Sequence, residues 1–147
     1  MCDFKECKAS STNMDSNYCA EHLAQMYQVE IKTSLLPNAG KGLFTSIARK
    51  RNVKLVPYAG ERIKDETGNV EGSYVLEYKT NHFIDCGKQT NCCAGRFVND
   101  ARNSKQKNCR FVYDKIKDEV WLVSTRHIKS NEELYCDYGS YYWKALK

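Results

Sequence analysis

Long hydrophobic runs and long basic runs are both missing from this chain of 147 residues. No apolar stretch approaches the roughly 18 residues that a membrane-spanning helix needs. Because the first residues include no apolar segment like that of a signal peptide, we expect no export. Proline is scarce, with two residues, and 41% of the residues are hydrophobic, which excludes a disordered protein. The length fits one domain with a small appendage.

The charge of the chain is only mildly basic, with a formal net charge of +5. A solvated surface explains this value at least as well as nucleic-acid binding does. Two short basic patches, residues 49–51 and 105–107, remain candidates for weak contact with DNA phosphates. Aromatic and basic residues do not interleave, which disfavours a small zinc-dependent nucleic-acid binder.

Eight cysteines in a chain without an export signal indicate reduced thiols and metal ligands rather than disulfides. Cys2, Cys7, Cys19 and His22 have the spacing C-x4-C-x11-C-x2-H. Zinc takes four such ligands in a tetrahedron, and the polar segment between them could not order itself without metal. We therefore predict a zinc-binding element over residues 1–26. The alternative is a frayed tail that carries cysteines by chance.

The remaining cysteines allow a second, less favoured site. Cys86, Cys92 and Cys93 could hold a metal, but adjacent cysteines rarely make good tetrahedral pairs. Buried thiols that act as small hydrophobic side chains are the preferred interpretation, and Cys109 is included in it.

Periodicity predicts mostly short strands. Alternating polar and apolar residues predict a half-buried strand at Val29–Thr33. Further β-rich runs occupy residues 53–57, 73–78, 82–86, 109–113 and 120–125, and the second and third of these form a predicted hairpin. Only Ala20–Tyr27 and residues 141–146 have helical character. Many short strands with little helix predict a β-rich fold.

Four motifs occur in a particular order along the chain. They are Asn-Ala-Gly-Lys-Gly-Leu-Phe at 38–44, Tyr-Ala-Gly-Glu at 58–61, Arg-Phe-Val-Asn-Asp-Ala at 96–101 followed by Asn-Cys at 108–109, and Glu-Glu-Leu-Tyr-Cys-Asp-Tyr-Gly at 132–139. This ordered set resembles the SET-domain protein lysine methyltransferases over roughly residues 28–143. The resemblance implies small curled sheets with a C-terminal pseudoknot. It assigns residues 27–147 to a SET domain with an aromatic C-terminal tail.

The resemblance also implies a reaction, the transfer of a methyl group from S-adenosylmethionine to a lysine amine. Free lysine is mostly protonated at neutral pH. A narrow apolar channel that ends at a sulfonium lowers the amine pKa through desolvation and charge repulsion. Oxygen atoms can hold the methyl group through weak C–H···O contacts, and alignment of the reacting atoms supplies much of the rate.

Site residues follow from the motifs position by position. The catalytic residues implied by the resemblance are Tyr138 and Tyr58. The cofactor residues are Gly40, Lys41, Gly42, Arg96, Phe97, Asn99, Asp100 and Trp143, with the two glycines placed in a loop between strands. The substrate channel is formed by Tyr58, Tyr74, Phe111 and Cys136. Asn108 matches the Asn-Cys step, and Glu133 and Asp137 are interpreted as anchors of the pseudoknot. Without the resemblance, the tyrosines would be interpreted as half-buried core residues.

Three departures from the family pattern affect these assignments. Asp100 stands where the family has a histidine, whose backbone contact an aspartate can also supply. The stretch 101–107 is longer and more basic than its counterpart. The cluster of three cysteines that follows the SET domain in the family is absent. We expect Trp143 in the aromatic tail to cover the adenine in its place, although a simple cap on the core is the alternative.

The expected substrate is a histone tail or nucleosome, which implies a nuclear chromatin regulator. Neither Phe111 nor Cys136 offers a phenol hydroxyl at the end of the channel, so we expect multiple methylation. The alternatives are a methyltransferase for a non-histone lysine, and a catalytically weak SET scaffold that acts as a binding module.

Overall fold

The computed structural model describes residues 7, 18–68, 70, 74–87 and 93–137. Within these ranges, the chain forms one α-helix, eight strands and a short 3-10 helix. The helix is α1 (Ala20–Tyr27), and the strands are β1 (Val29–Thr33), β2 (Lys41–Thr45), β3 (Lys54–Tyr58), β4 (Glu61–Lys64), β5 (Val75–Lys79), β6 (His82–Asp85), β7 (Cys109–Asp114) and β8 (Glu119–Ser124), with the 3-10 helix at Ala94–Phe97. No described helix is long and apolar enough to cross a membrane.

Three small antiparallel sheets make up the fold. Their strand orders are β1-β2, β3-β8-β7 and β4-β6-β5. The larger core cluster gathers buried side chains of β2, β3 and β8 with the chain that follows β8, including Leu43, Leu55, Leu122 and Leu134. A second cluster surrounds Tyr58 and Ile84, and Phe111 packs against both clusters. This architecture confirms the prediction of a β-rich SET-like fold.

The segment after β8 runs between β2 and the chain that leads into β7. On one side, the Leu134 amide donates to the Leu43 carbonyl at 2.8 Å. On the other side, the Cys136 amide donates to the Asn99 carbonyl at 2.9 Å, and Asn99 and Tyr135 form an isolated parallel bridge. The segment is thereby held from two directions, which is the arrangement expected of a pseudoknot.

The side chain of Asn108 holds this segment through two hydrogen bonds. Its Nδ2 donates to the Glu133 carbonyl at 2.9 Å, and its Oδ1 accepts from the Tyr135 amide at 2.8 Å. Asn108 is fully buried. Its side-chain amide therefore satisfies the backbone carbonyl of Glu133 and the backbone amide of Tyr135, as a neighbouring strand would.

The observed elements differ from the sequence prediction at two strands. Helix α1 and strand β1 have the predicted bounds, and the other β-rich runs shift by one or two residues. Strands β2 and β4 were not predicted. Strand β2 is buried along almost its whole length and therefore shows no alternation, and β4 is a short, mostly charged edge strand. The placement of Lys41 and Gly42 in a loop is consequently wrong, because both lie in β2.

Arg49 ties the C-terminal end of α1 to β2. Its guanidinium donates to the carbonyls of Tyr27 and Gln28, the latter at 3.0 Å, and its Nε donates to Thr45 Oγ1 at 2.9 Å. Burial lowers the pKa of Arg49. These bonds occupy the buried guanidinium of Arg49, whereas Lys50 and Arg51 are exposed, and contact of this patch with DNA phosphates stays a prediction.

Candidate active site and metal centre

The start of β2 brings three of the predicted cofactor residues together. Gly40 has a φ of +69°, which favours glycine, and it directly precedes Lys41 and Gly42. A Cβ atom at Gly42 would lie 2.3 Å from Glu133 Oε2, so only glycine fits there without displacement. Asn99 Nδ2 donates to the Lys41 carbonyl at 3.1 Å. The strand therefore passes within hydrogen-bond distance of both the Asn99 motif and the C-terminal segment.

Glu133 lies beneath this strand with 1% of its surface exposed. Its carboxylate accepts from Ser34 Oγ at 2.6 Å, the Leu35 amide at 2.8 Å, the Tyr135 hydroxyl at 2.9 Å and Asn99 Nδ2 at 3.4 Å. Burial, followed by the bond to Glu133, raises the pKa of Tyr135. Three separate parts of the chain, residues 34–35, Asn99 and residues 133–135, meet at this one carboxylate, in keeping with its interpretation as an anchor.

The predicted channel residues also meet. Tyr58 is 5% exposed, its hydroxyl donates to the Tyr74 carbonyl at 2.5 Å, and its ring meets Phe111 edge-on with centroids 5.2 Å apart. Burial raises the pKa of Tyr58, and the nearby Cys93 and Asp85 raise it further. The phenol is therefore neutral, and its ring is fixed as a wall. The buried Cys136 thiol is close enough to add to the same effect.

Arg96 stacks between two aromatic rings beside this wall. Its guanidinium carbon lies 5.4 Å from the Tyr74 ring centroid and 4.9 Å from that of Phe97. One guanidinium nitrogen donates to the Cys86 carbonyl at 3.5 Å. The 3-10 helix that carries Arg96 and Phe97 thus connects the Asn99 motif to the β5–β6 hairpin.

The Asp100 carboxylate forms a local turn. Its Oδ1 accepts from the Arg102 amide at 2.7 Å, and Arg102 has a φ of +54°. This bond joins the side chain to the basic stretch 101–107 that follows it.

A family model described as the PR domain of PR domain zinc finger protein 2 matches residues 29–147. The chain belongs to the PR-domain family. PR domains are SET-like, and the SET superfamily includes methyltransferases, so the match supports a SET-related family without specifying a lysine methyltransferase. A comparison with curated proteins gave no match.

Three of the four predicted zinc ligands cluster ahead of the matched PR-domain residues. Cys7 Sγ and Cys19 Sγ are 3.9 Å apart, and Cys19 Sγ and His22 Nδ1 are 3.2 Å apart. The three ligand atoms lie within 4.8 Å of one another. A tetrahedral zinc ion with Zn–S bonds of about 2.3 Å places two sulfur ligands about 3.8 Å apart, so the donor set fits zinc. Helix α1 begins directly after Cys19 and turns His22 back toward it.

Two further cysteines, Cys86 and Cys93, contact the backbone of Ala59. Cys86 Sγ lies 3.3 Å from both Cys93 Sγ and the Ala59 carbonyl, and the Ala59 amide donates to Cys93 Sγ at 3.4 Å. Cys86 is disulfide-bonded, so the expectation of a reduced thiol is wrong at this position. Cys93 and Cys109 carry buried free thiols, as predicted.

Three predicted site residues, Tyr138, Trp143 and Cys2, lie outside the described part of the PR-domain chain. Their roles stay predictions. The sequence did not predict two residues whose side chains form buried hydrogen bonds in the structure. Ser34, which contacts Glu133, directly follows a strand and carries no sequence signal, and Arg49 stood in a basic run typical of a solvated surface.

Proposed function

We propose that this PR domain is an S-adenosylmethionine-dependent protein lysine methyltransferase that acts on histone tails in the nucleus. The observation that carries the proposal is the meeting of Lys41, Gly42 and Asn99 at one end of β2. Asn99 Nδ2 is bound to Lys41 and Glu133, while no described residue donates to its Oδ1. Gly42 has no Cβ atom and so leaves the backbone open to a ligand, and the side-chain oxygen of Asn99 faces outward. Together they suit a small ligand that carries an amino group.

The channel residues provide the second part of the argument. S-adenosylmethionine supplies an electrophilic methyl group when it is bound. The neutral Tyr58 ring and the Phe111 ring form an apolar wall, which disfavours the charged form of an inserted lysine and so lowers its pKa. The bond from Tyr58 to the Tyr74 carbonyl holds that wall in place before any substrate enters.

Local charge supports a basic peptide as the substrate despite the net charge of the chain. In the strand register, Glu61 lies opposite Asp85 and Glu77 lies opposite Phe83. Because Phe83 and Asp85 are two residues apart on β6, the two glutamates lie on the same face of the β4-β6-β5 sheet. Both glutamates are exposed, whereas Asp85 between them is buried. An acidic face beside the predicted channel attracts the lysine- and arginine-rich segments typical of histone tails.

A second candidate is a SET scaffold with weak activity, and Asp100 favours it. The Asp100 carboxylate accepts from the Arg102 amide, and an aspartate in place of the histidine implied by the family resemblance is the feature that supports weak activity. In this alternative, the domain still binds the cofactor but transfers methyl groups slowly or not at all.

A methyl-transfer assay with binding measured in parallel separates these candidates. Purified protein is incubated with tritiated S-adenosylmethionine and nucleosomes, free histones or total cell proteins, and Asn99→Ala is the variant with the cofactor contact removed. We expect labelled histone with the wild type and a much weaker signal with Asn99→Ala. Labelling of another protein alone would indicate a non-histone substrate. Cofactor binding without any transfer would indicate the scaffold, and failure to bind the cofactor would contradict the proposal.

A further inference from the structure

The Glu133 carboxylate is buried, and within the described residues no cationic side chain forms an ion pair with it. Its four hydrogen-bond donors are two hydroxyls, one backbone amide and one side-chain amide, all neutral. The ion pairs among the described residues lie elsewhere. A buried charge is costly unless other groups compensate it, so a carboxylate held by neutral donors favours a cation nearby.

The same carboxylate determines which way the Asn99 amide faces. Both neighbours of Nδ2, the Lys41 carbonyl and the Glu133 carboxylate, can only accept hydrogen bonds. The amide must therefore present its nitrogen inward and its oxygen outward. The main chain of Asn99 is fixed as well, because its carbonyl accepts from the Cys136 amide. An outward carbonyl oxygen accepts from an ammonium and repels a carboxylate.

We infer that Glu133 is a positioning residue that makes this pocket select ligands with an ammonium group. It holds Asn99 Oδ1 outward and adds negative charge behind it. The inference rests on the proposed function, because the amino-acid part of S-adenosylmethionine is the group that would use this ammonium site. It goes further in assigning the selectivity to a residue that the ligand does not touch.

Two ligands that share the adenosine part provide the test. S-adenosylhomocysteine carries the amino-acid group, and methylthioadenosine lacks it. Titration calorimetry gives the affinity of each ligand for the wild type and for Glu133→Gln, which keeps the size of the side chain and removes its charge. We expect the affinity for S-adenosylhomocysteine, divided by that for methylthioadenosine, to fall roughly tenfold in the variant, as for the loss of one charge-assisted hydrogen bond.

Tyr135→Phe is the matched control, because it removes one donor to Glu133 and leaves the charge. Both variants are expected to melt at lower temperature, so melting does not distinguish a selective role from a structural one. The affinity ratio does, and it should stay at the wild-type value in Tyr135→Phe. An unchanged ratio in Glu133→Gln overturns this inference alone. Failure of the wild type to bind S-adenosylhomocysteine overturns both this inference and the proposed function.

A measurement on the wild-type protein covers the case in which Glu133→Gln does not fold. The side-chain amide protons of Asn99 are observed by nitrogen-15 NMR and assigned with Asn99→Ala. Because two acceptors hold this amide, we expect slow exchange with water, and a shift on addition of S-adenosylhomocysteine but not of methylthioadenosine. Fast exchange, or equal shifts with both ligands, overturns the inference.

Discussion

Replacing Gly42 with alanine should damage the site far more than its size suggests. The added Cβ would lie 2.3 Å from Glu133 Oε2, 3.0 Å from its Cδ and 3.2 Å from Ser34 Cβ. Glu133 cannot move away at low cost, because it is buried and held by four donors. Overpacking costs about 1–3 kcal/mol, and weakening a bond to a buried charge costs about 1.5–3 kcal/mol. We therefore expect the free energy of unfolding to fall by about 3–5 kcal/mol.

Gly40→Ala is the control two residues away. No atom lies within 4 Å of its added Cβ, so the only cost is the positive φ of +69°. That cost is about 1–2 kcal/mol. Urea denaturation followed by fluorescence gives both values. Equal losses in the two variants would refute the argument from Glu133. The double variant Gly42→Ala/Glu133→Asp, with a shorter acid, should recover part of the loss if the two positions are coupled.

Three further predictions concern metal, catalysis and product. Cys19→Ala should abolish binding of about one zinc ion per chain and unfold α1, as measured by metal analysis and circular dichroism; retention of the metal would contradict the site that Cys19 and His22 form. Tyr138→Phe should abolish methyl transfer and leave cofactor affinity nearly unchanged; wild-type turnover would show that the active site is misplaced. Under the proposed function, the protein should add more than one methyl group to lysine, and mass spectrometry should show that Phe111→Tyr shifts the products toward monomethyl lysine; arrest of the wild type at one methyl would refute this.

The sequence predicts those elements whose signal is local. Helix α1 and strand β1 have their own periodicity, and the structure confirms both sets of bounds. Strand β2 shows no such periodicity, because it is buried along almost its whole length. The contact of Ser34 with Glu133 likewise depends on which distant segments meet, and residue type alone does not encode that. The ordered motifs indicated that Asn99 belongs to the candidate site only because they resemble a known arrangement.

The buried Arg49 shows the opposite failure of a local signal. A run of basic residues is typical of a solvated surface, and two of its three members follow that rule. Arg49 departs from it because the carbonyls at the end of α1 need donors that only a long cationic side chain can deliver. Such needs arise from the packing of a helix against a strand, which composition does not show.

The contacts of Glu133 also bear on the order in which the domain folds. Ser34 and Glu133 are separated by 99 residues and Leu35 and Glu133 by 98. Contacts over such separations close late, because the loop entropy must be overcome first. On the ribosome, β1 and β2 emerge long before the carboxylate that completes their end of the site. We expect the Leu35 amide to gain protection from hydrogen exchange among the last in refolding, and early protection would contradict this.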